Sequence, residues 1–334
     1  MNRCLVTKLN GSVDNTSLLR IGEMRIGISK IDSPNHWTQS FRITVNKPTV
    51  LEIIGDGYFT DVSLTANNGK KITLNPNASE KVYVSNGNFE VAILDKYALV
   101  AIFDYDTYSE GDSTYSQKNK SISDIGFFKY STALTSFGLS NTNISGDIAN
   151  LKNLTALTRI ELNNTNISGD IANLKNLTAL TVLELNDTNI SGDIANLKNL
   201  TALTRLLLCN KQIPLTGEIS ALSTLSKCRT MSLSFSKLTG DLAILPYACY
   251  EAYLYYSKGS VFTWSTRPSS AYIISLGGAS LYGNVDKMLQ DQAQCQVRPT
   301  SGKTISATGT RTSASDAAVS TLQQKGYTVA ITPA

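Results

Sequence analysis

Catalysis near neutral pH needs a few residue types at workable spacings, and this chain of 334 residues is sparing with them. It has one histidine, His36, in the stretch DSPNHWTQS. Histidine-based nucleophilic catalysis needs a partner group at hydrogen-bond reach. A loop histidine beside Trp37 reads instead as a surface or packing residue. Asp104, Asp106, Glu110 and Asp112 cluster in DYDTYSEGD. Alternating carboxylates can chelate calcium, but the spacing is not that of an EF-hand, and a solvated acidic loop is the simpler reading. Asp147, Asp170 and Asp193 recur every 23 residues, and Glu218 and Asp241 continue the column. Such a column could bind cations, and paired carboxylates could hydrolyse glycosides. Here the pairing follows automatically from the period, so capping of the next segment is the expected role. The five cysteines are odd in number and form no CxxC pair, so neither a disulfide framework nor a zinc site is expected. Cys228 and Cys249 fall where other copies carry leucine and read as small core hydrophobes. No glycine-rich phosphate loop with a lysine occurs. No cofactor and no metal is expected, and the chain reads as non-enzymatic.

The elements that would position any site are dictated by repetition. NISGDIANLKNLTALT runs from Asn143 to Thr158 and returns unchanged at Asn166 to Thr181 and Asn189 to Thr204. A period of 23 with recurring leucine predicts stacked solenoid units, each too small to bury its own apolar face. In one unit the strand is Val182 to Asn186. Leu183 and Leu185 point inward, while Val182, Glu184 and Asn186 point outward. Ile190, Ile194, Leu197, Leu200 and Leu203 supply the next core layer. Apolar residues make up 42% of the chain and charged residues 17%, which suits strands with a polar, weakly charged surface and argues against disorder. The net charge of +4 is scattered, so the basic footprint of a nucleic-acid binder is missing. No apolar run is long enough to span a bilayer. The opening MNRCLVTKLNGSVDN lacks an apolar h-region and does not read as a secretory signal.

These repeats strongly resemble the leucine-rich repeat family. The segment ISGDI is similar to the L-x-G-x-I variant of plant-type and many bacterial repeats. The resemblance implies a polar ladder residue, usually Asn, where this chain has Thr142, Thr165 and Thr188. The same coil with a weaker ladder is therefore expected. The array decays in both directions. SISDIGFFKYSTALTSFGLS precedes it, with Phe137 and Leu139 as strand core. LTGEISALSTLSKCRTMSLS follows a two-residue insertion containing Pro214, and LTGDLAILPYACYEAYLY comes next. VFTWSTRPSSAYIISL and LYGNVDKMLQ read as degenerate copies. Residues 300–334 read as a cap: a helix opened by Ser313 or Ser315, stopped by Gly326, and a last strand over Tyr327 to Ile331.

The outward strand positions form the expected binding face. On this concave strand face the candidates are Arg159, Glu161, Glu184, Arg205, Tyr253, Tyr255 and Trp264. The first half is charged and polar, the second aromatic. Exposed Tyr and Trp often carry binding energy, and they also make platforms for sugar rings. The alternative is that aromatics fill an irregular core in degenerate repeats. About seven strands at roughly 4.8 Å make a sheet on the order of 35 Å long, enough for a standard protein interface.

Residues 1–115 carry no repeat. Short strands are expected over Cys4–Leu9, Glu23–Ser29, Ser40–Val45, Val50–Ile54, Lys71–Leu74, Lys81–Val84, Phe89–Leu94 and Leu99–Phe103, with NNGK, NPNAS and SNGN as turns. That pattern predicts a β-sandwich. The fold class is thus mainly β with short helices: a sandwich over 1–115, then a leucine-rich repeat solenoid over 116–334. The stretches LVTKLNGSVDNTSLLRIGEMRIGI and GDGYFTD are similar to the starts of structural proteins of crAss-like phages that infect Bacteroides. That resemblance implies a virion protein, a head or tail decoration or fibre, made in the host cytoplasm. Residues 1–115 would then contact capsid or tail proteins, and the repeats a host-surface protein, a glycan or a neighbouring subunit. Self-association into a homo-oligomer is compatible with either half. The alternative is a bacterial adhesin or intracellular scaffold.

Overall fold

The computed structural model describes residues 124–333, apart from 211–214, 256–258 and 299–303, together with six strands of the N-terminal region. Those strands are β1 (Met24–Ile28), β2 (Thr38–Val45), β3 (Thr49–Tyr58), β4 (Lys71–Leu74), β5 (Ser79–Ile93) and β6 (Leu99–Asp106). All their mutual pairings are antiparallel. β5 pairs with β1, β2 and β3, while β4 lies on β3 and β6 on β2. SNGN, expected as a turn, lies inside β5. There Gly87 stands opposite Gly57, and the register shifts at Gly57/Tyr58. A bulge at paired glycines lets one long strand bend where a turn would have cut it in two. The strand expected at Cys4–Leu9, His36 and Trp37 lie outside the described residues. So do residues 107–112 of the acidic stretch and the side chains that would face two layers of a sandwich.

From residue 124 the 23-residue period takes over. Seven short strands form a parallel ladder: β7 (Ser136–Gly138), β9 (Arg159–Glu161), β11 (Val182–Glu184), β13 (Arg205–Leu207), β15 (Thr230–Ser232), β17 (Glu251–Tyr253) and β19 (Ser275–Gly277). β6 adds to β7 in parallel, so repeats and N-terminal strands share one 13-stranded sheet. The opposite side carries two smaller parallel sheets. One holds β8 (Ser145–Asp147), β10 (Asn166–Asp170) and β12 (Asn189–Ser191). The other holds β14 (Thr216–Glu218), β16 (Lys237–Asp241) and β18 (Val261–Thr263). An isolated parallel bridge, Asp193 to Thr216, links the two.

The core lies between these two sides. In one copy Ile167, Ile171, Leu174, Leu177, Leu180, Leu183 and Leu185 are all fully buried. Ile171 and Leu174 are the two ends of a one-turn 3-10 helix, Ile171–Leu174, where positions three apart eclipse and face one way. The turns after β7, β9 and β11 need a left-handed residue, and Asn141, Asn164 and Asp187 take it at φ of 62°, 56° and 51°. Short polar side chains tolerate that region best. Phe235 holds the same place at φ 62°, an uncommon role for a bulky residue.

The C-terminal end departs from the expected degenerate copies. The segment read as a repeat at LYGNVDKMLQ is largely helix α1 (Val285–Gln294). Val285, Met288 and Leu289 turn into the core at helical spacing. The cap otherwise follows expectation: α2 (Asp316–Gln324), Gly326 at φ 82°, and a last strand. The helical segment opens earlier than expected. Thr312 caps a preceding 3-10 turn by accepting from the Ala314 amide, while Ser315, one of the two expected openers, holds the N-cap position of α2 without a side-chain cap bond. Three parallel strands, β20 (Ala279–Ser280), β21 (Thr304–Thr308) and β22 (Thr328–Thr332), close that end. β20 follows β19 after a single residue, Gly278, so this sheet carries the long ladder onward.

Candidate functional site

Each strand of the long ladder is tied to the next by side chains as well as backbone. The hydroxyls of Thr158, Thr181 and Thr204 donate to the carbonyls of Thr135, Thr158 and Thr181 at 2.9, 2.9 and 3.0 Å. At the other strand end, Asn163 Oδ1 accepts from the Asn186 amide at 2.9 Å and Asn186 Oδ1 from the Cys209 amide at 2.8 Å. Ser140 and Ser234 do the same for Asn163 and Tyr255. These are the rungs between repeats. The threonines expected as rungs are turned inward: Thr142, Thr165 and Thr188 donate to carbonyls three residues earlier in their own repeat, each at 2.8 Å. A hydroxyl is too short to satisfy both its own turn and the next coil. Asn210, buried at the end of the identical copies, spans two repeats from the inside, and farther on the buried Ser260 hydroxyl does so too, donating to the Ser236 carbonyl and accepting from the Leu238 amide.

Between these rungs the outward side chains form the candidate face. Arg159 pairs with Glu161 along its own strand. Arg205 Nε donates to Glu184 Oε1 across strands at 2.6 Å, and Asn163 Nδ2 donates to Glu184 Oε2 at 2.7 Å. The four charged candidates are thus brought together and largely neutralise one another. Ion pairs whose arginine ends reach solvent in this way contribute modestly to stability. They are available to be exchanged for a partner's charges.

The aromatic half begins at β17. Tyr253 and Tyr255 lie with ring centroids 6.2 Å apart and planes 21° apart. Burial raises the Tyr253 phenol pKa, and the neighbouring Glu251 carboxylate adds to the rise. Trp264 does not belong to this face. It is fully buried behind β18, and its indole N–H donates to Asp291 Oδ2 at 3.0 Å. The sequence could not separate a core tryptophan from a surface one where the repeat spacing breaks down. The same Asp291 oxygen accepts from the Arg267 amide at 3.0 Å, and Lys287 pairs with the other oxygen. The buried Arg267 guanidinium donates to the carbonyls of Ala243, Leu245, Pro246 and Tyr272. Burial lowers its pKa. This polar hub replaces the leucine layers that the degenerate repeats lack. At the start of β17, Arg298 stacks 3.9 Å from the Tyr272 ring centroid and 5.2 Å from that of Tyr250.

Among the described residues, four aspartates of the column and two core cysteines are otherwise engaged. Asp147, Asp170, Asp193 and Asp241 each cap a 3-10 turn, accepting from the amide two residues on at 2.7–2.9 Å. Glu218, one methylene longer, makes no such cap. Cys228 and Cys249 are core residues as expected. Burial drives the Cys228 thiol pKa far up and pushes that of Cys249 up to about 12. Neither supplies a thiolate at neutral pH. Among the described residues no group of three or more His, Cys, Asp or Glu is placed to hold a metal, and no helix is long and apolar enough to cross a membrane.

No family model and no curated protein matches the chain. Solved structures do. The leucine-rich repeat ectodomain of the receptor kinase GASSHO1/SCHENGEN3 from Arabidopsis thaliana, in complex with Casparian strip integrity factor 2, is 19% identical. The match covers 62% of this chain and 25% of that one, with a TM-score of 0.46. An internalin, inlF, from Listeria monocytogenes is 20% identical over 72% of this chain and 70% of its own, with a TM-score of 0.41. A TDR receptor is 18% identical over 63% of this chain and 37% of its own, at 0.44. The chain therefore spans a quarter of the first ectodomain's length. The parallel ladder, the period of 23 and the inward leucines define the architecture on their own. It is a leucine-rich repeat fold. Two glycines that the sequence reading passed over, Gly277 and Gly278, also belong to the candidate face, because both lie against the tyrosine rings. Their signal was the pair in SLGGAS, at the place where earlier strands carry side chains.

Proposed function

We propose that this chain is a non-enzymatic interaction module that engages a macromolecular partner through the outward side chains of the long ladder. The observation that supports this most directly is the row of partly exposed side chains on parallel strands, from Arg159 to Tyr255, held in register by hydrogen-bonded rungs. Rigid presentation of aromatic and arginine side chains is what a binding surface requires. A binding role is favoured over a catalytic one by the employment of reactive groups: Asp147, Asp170, Asp193 and Asp241 cap turns, and the Cys228, Cys249 and Cys295 thiols are buried.

In the finer reading, the protein is a virion component of a crAss-like phage. Residues 1–115 form a β-sandwich attachment domain on capsid or tail proteins, and the repeats face outward to a host-surface protein or glycan. The resemblance of the opening 60 residues or so to phage structural proteins supports this. Cross-linking mass spectrometry on the full chain in source lysate tests both halves. Cross-links from lysines within 1–115 to capsid or tail proteins are expected, and separate links from the repeats to a second partner. Links from 1–115 to host cytosolic or envelope proteins would move the protein to the bacterium as a scaffold or adhesin. An Arg205→Ala, Glu184→Ala variant that keeps every repeat cross-link would remove the ladder face as the binding surface.

A further inference from the structure

The long ladder changes character after β17, and the change concerns what is missing. Tyr253 on β17 stands in register with Gly277 on β19. A Cβ at Gly277 would lie 2.7 Å from Tyr255 Cε2 and 2.9 Å from Tyr253 Cδ1. At Gly278, whose φ is +70°, it would lie 2.4 Å from Tyr255 Cδ1. The two rings therefore rest on bare backbone, and any other residue would lift them. Tyr255 remains 41% exposed. One side of its ring is pressed to the glycine backbone.

Beyond the rings, the sheet carries small hydroxyl side chains and no charge. Ile305 and Ala307 of β21 are buried, so Thr304, Ser306 and Thr308 alternate to the outward side. Ser306 sits beside the glycines: its Oγ accepts from the Gly278 amide at 2.8 Å and donates to the Leu276 carbonyl at 3.0 Å. Thr328, Ala330 and Thr332 of β22 pair alongside. TISAT and TVAIT contain no ionisable residue.

We propose that Tyr253, Tyr255 and the Ser/Thr floor of β21 and β22 form a binding site for a neutral carbohydrate chain, a proposal that rests on the reading of the long ladder as the binding face. A flat ring fixed on backbone offers its electron-rich face to the C–H groups of a sugar. Ser306 braces the glycines, and Thr304, Thr308, Thr328 and Thr332 offer hydroxyls to the ring substituents. An acidic saccharide gains nothing from a floor without cations. A protein segment would leave the floor without an apolar anchor pocket, which protein hot spots require. Because the rings are already immobilised, binding loses little side-chain entropy.

Affinity electrophoresis of the full chain tests this, in gels containing β-1,3-glucan, β-1,4-glucan, mannan or galactan, with polygalacturonate as the acidic comparison. At least one neutral polysaccharide should slow the chain. Tyr255→Ala should weaken that retardation roughly thirtyfold, the size of a binding hot spot, while Tyr255→Phe stays within about threefold. Tyr253→Ala provides a second variant, and circular dichroism verifies that each is folded. Lys175→Ala, at the exposed end of a 3-10 turn away from the ladder, should leave the retardation unchanged. No retardation by any neutral matrix, retardation by polygalacturonate alone, or retardation indifferent to Tyr255→Ala and Tyr253→Ala each overturns the proposal. If the polysaccharides fail but Arg205→Ala, Glu184→Ala still abolishes a repeat cross-link, the carbohydrate site is lost and the interaction module stands.

Discussion

At the scale of single residues, the repeated SGD triplet is one device rather than three independent choices. Each aspartate caps its own 3-10 turn, and the glycine of the next copy makes room for it. Gly169, Gly192 and Gly217 sit at φ of 110°, 112° and 119°, and a Cβ on each would meet the preceding aspartate Oδ1 at 2.3, 2.3 and 2.2 Å. Gly192→Ala should therefore cost about 2–3 kcal/mol from the combined backbone strain and clash, read as a shift in the urea midpoint. Asp170→Ala alone should cost about 1 kcal/mol through loss of the cap. Together they should cost less than the sum, by on the order of 1 kcal/mol, because Asp170 is the atom group that Gly192→Ala strikes. Strict additivity would separate the two residues. The aspartate column was legible as capping from its spacing alone. The glycine's second role was not, since it depends on a contact between copies. The inward turn of Thr142, Thr165 and Thr188 was hidden for the same reason: a hydroxyl's choice between its own turn and its neighbour is settled by fractions of an ångström.

At the scale of elements, the identical copies follow their leucine period closely, while the C-terminal elements depend on polar contacts that no period announces. Asp291 satisfies two buried donors, from Trp264 and the Arg267 backbone. Asp291→Ala should cost about 3–5 kcal/mol, as removal of one member of a buried charged network does, and should shift Trp264 emission in a Trp37→Phe background. An unchanged melting temperature would show that the hub is dispensable. A second clasp joins α1 to the cap. Asp286 accepts from the hydroxyls of Thr312 at 2.5 Å and Ser315 at 2.6 Å, and from the Thr312 amide. Burial pushes its carboxyl pKa up, but those hydrogen bonds and Arg311 outweigh it and hold it below the ordinary value. Its folded pKa is depressed, so its contribution is full above the unfolded carboxyl value of about 3.9 and is lost as pH falls through the lower folded value. Hydrogen exchange in α2 should accelerate over that acid window in the parent protein and be already fast in Asp286→Asn at neutral pH. α1 escaped the sequence reading because LYGNVDKMLQ offers both a helical stripe and a repeat-like spacing of apolar residues. Trp264 escaped because exposure cannot be read from an aromatic residue once the period has slipped.

At the scale of the whole molecule, the long sheet runs from the N-terminal strands to β19 and the separate β20–β22 sheet follows it, yet most packing is between neighbouring coils. Stability in such an array is close to a sum over units and their interfaces. Deleting residues 164–186, one whole copy, should therefore leave a folded protein with a smaller urea m-value, in proportion to the surface removed. Collapse to an unfolded chain would show that the copies are not interchangeable. The interchangeability has a further consequence, through the rungs that Asn163 and Asn186 extend to the next strand. Every added unit meets the same acceptors and donors that its predecessor met, so a copy can enter or leave without any new surface being invented. Each one moves the tyrosine shelf about 4.8 Å farther from β6. Copy number is thus a reach setting: the array works as a spacer of adjustable span, and gain or loss of a single 23-residue unit changes how far from its anchor the aromatic end is held.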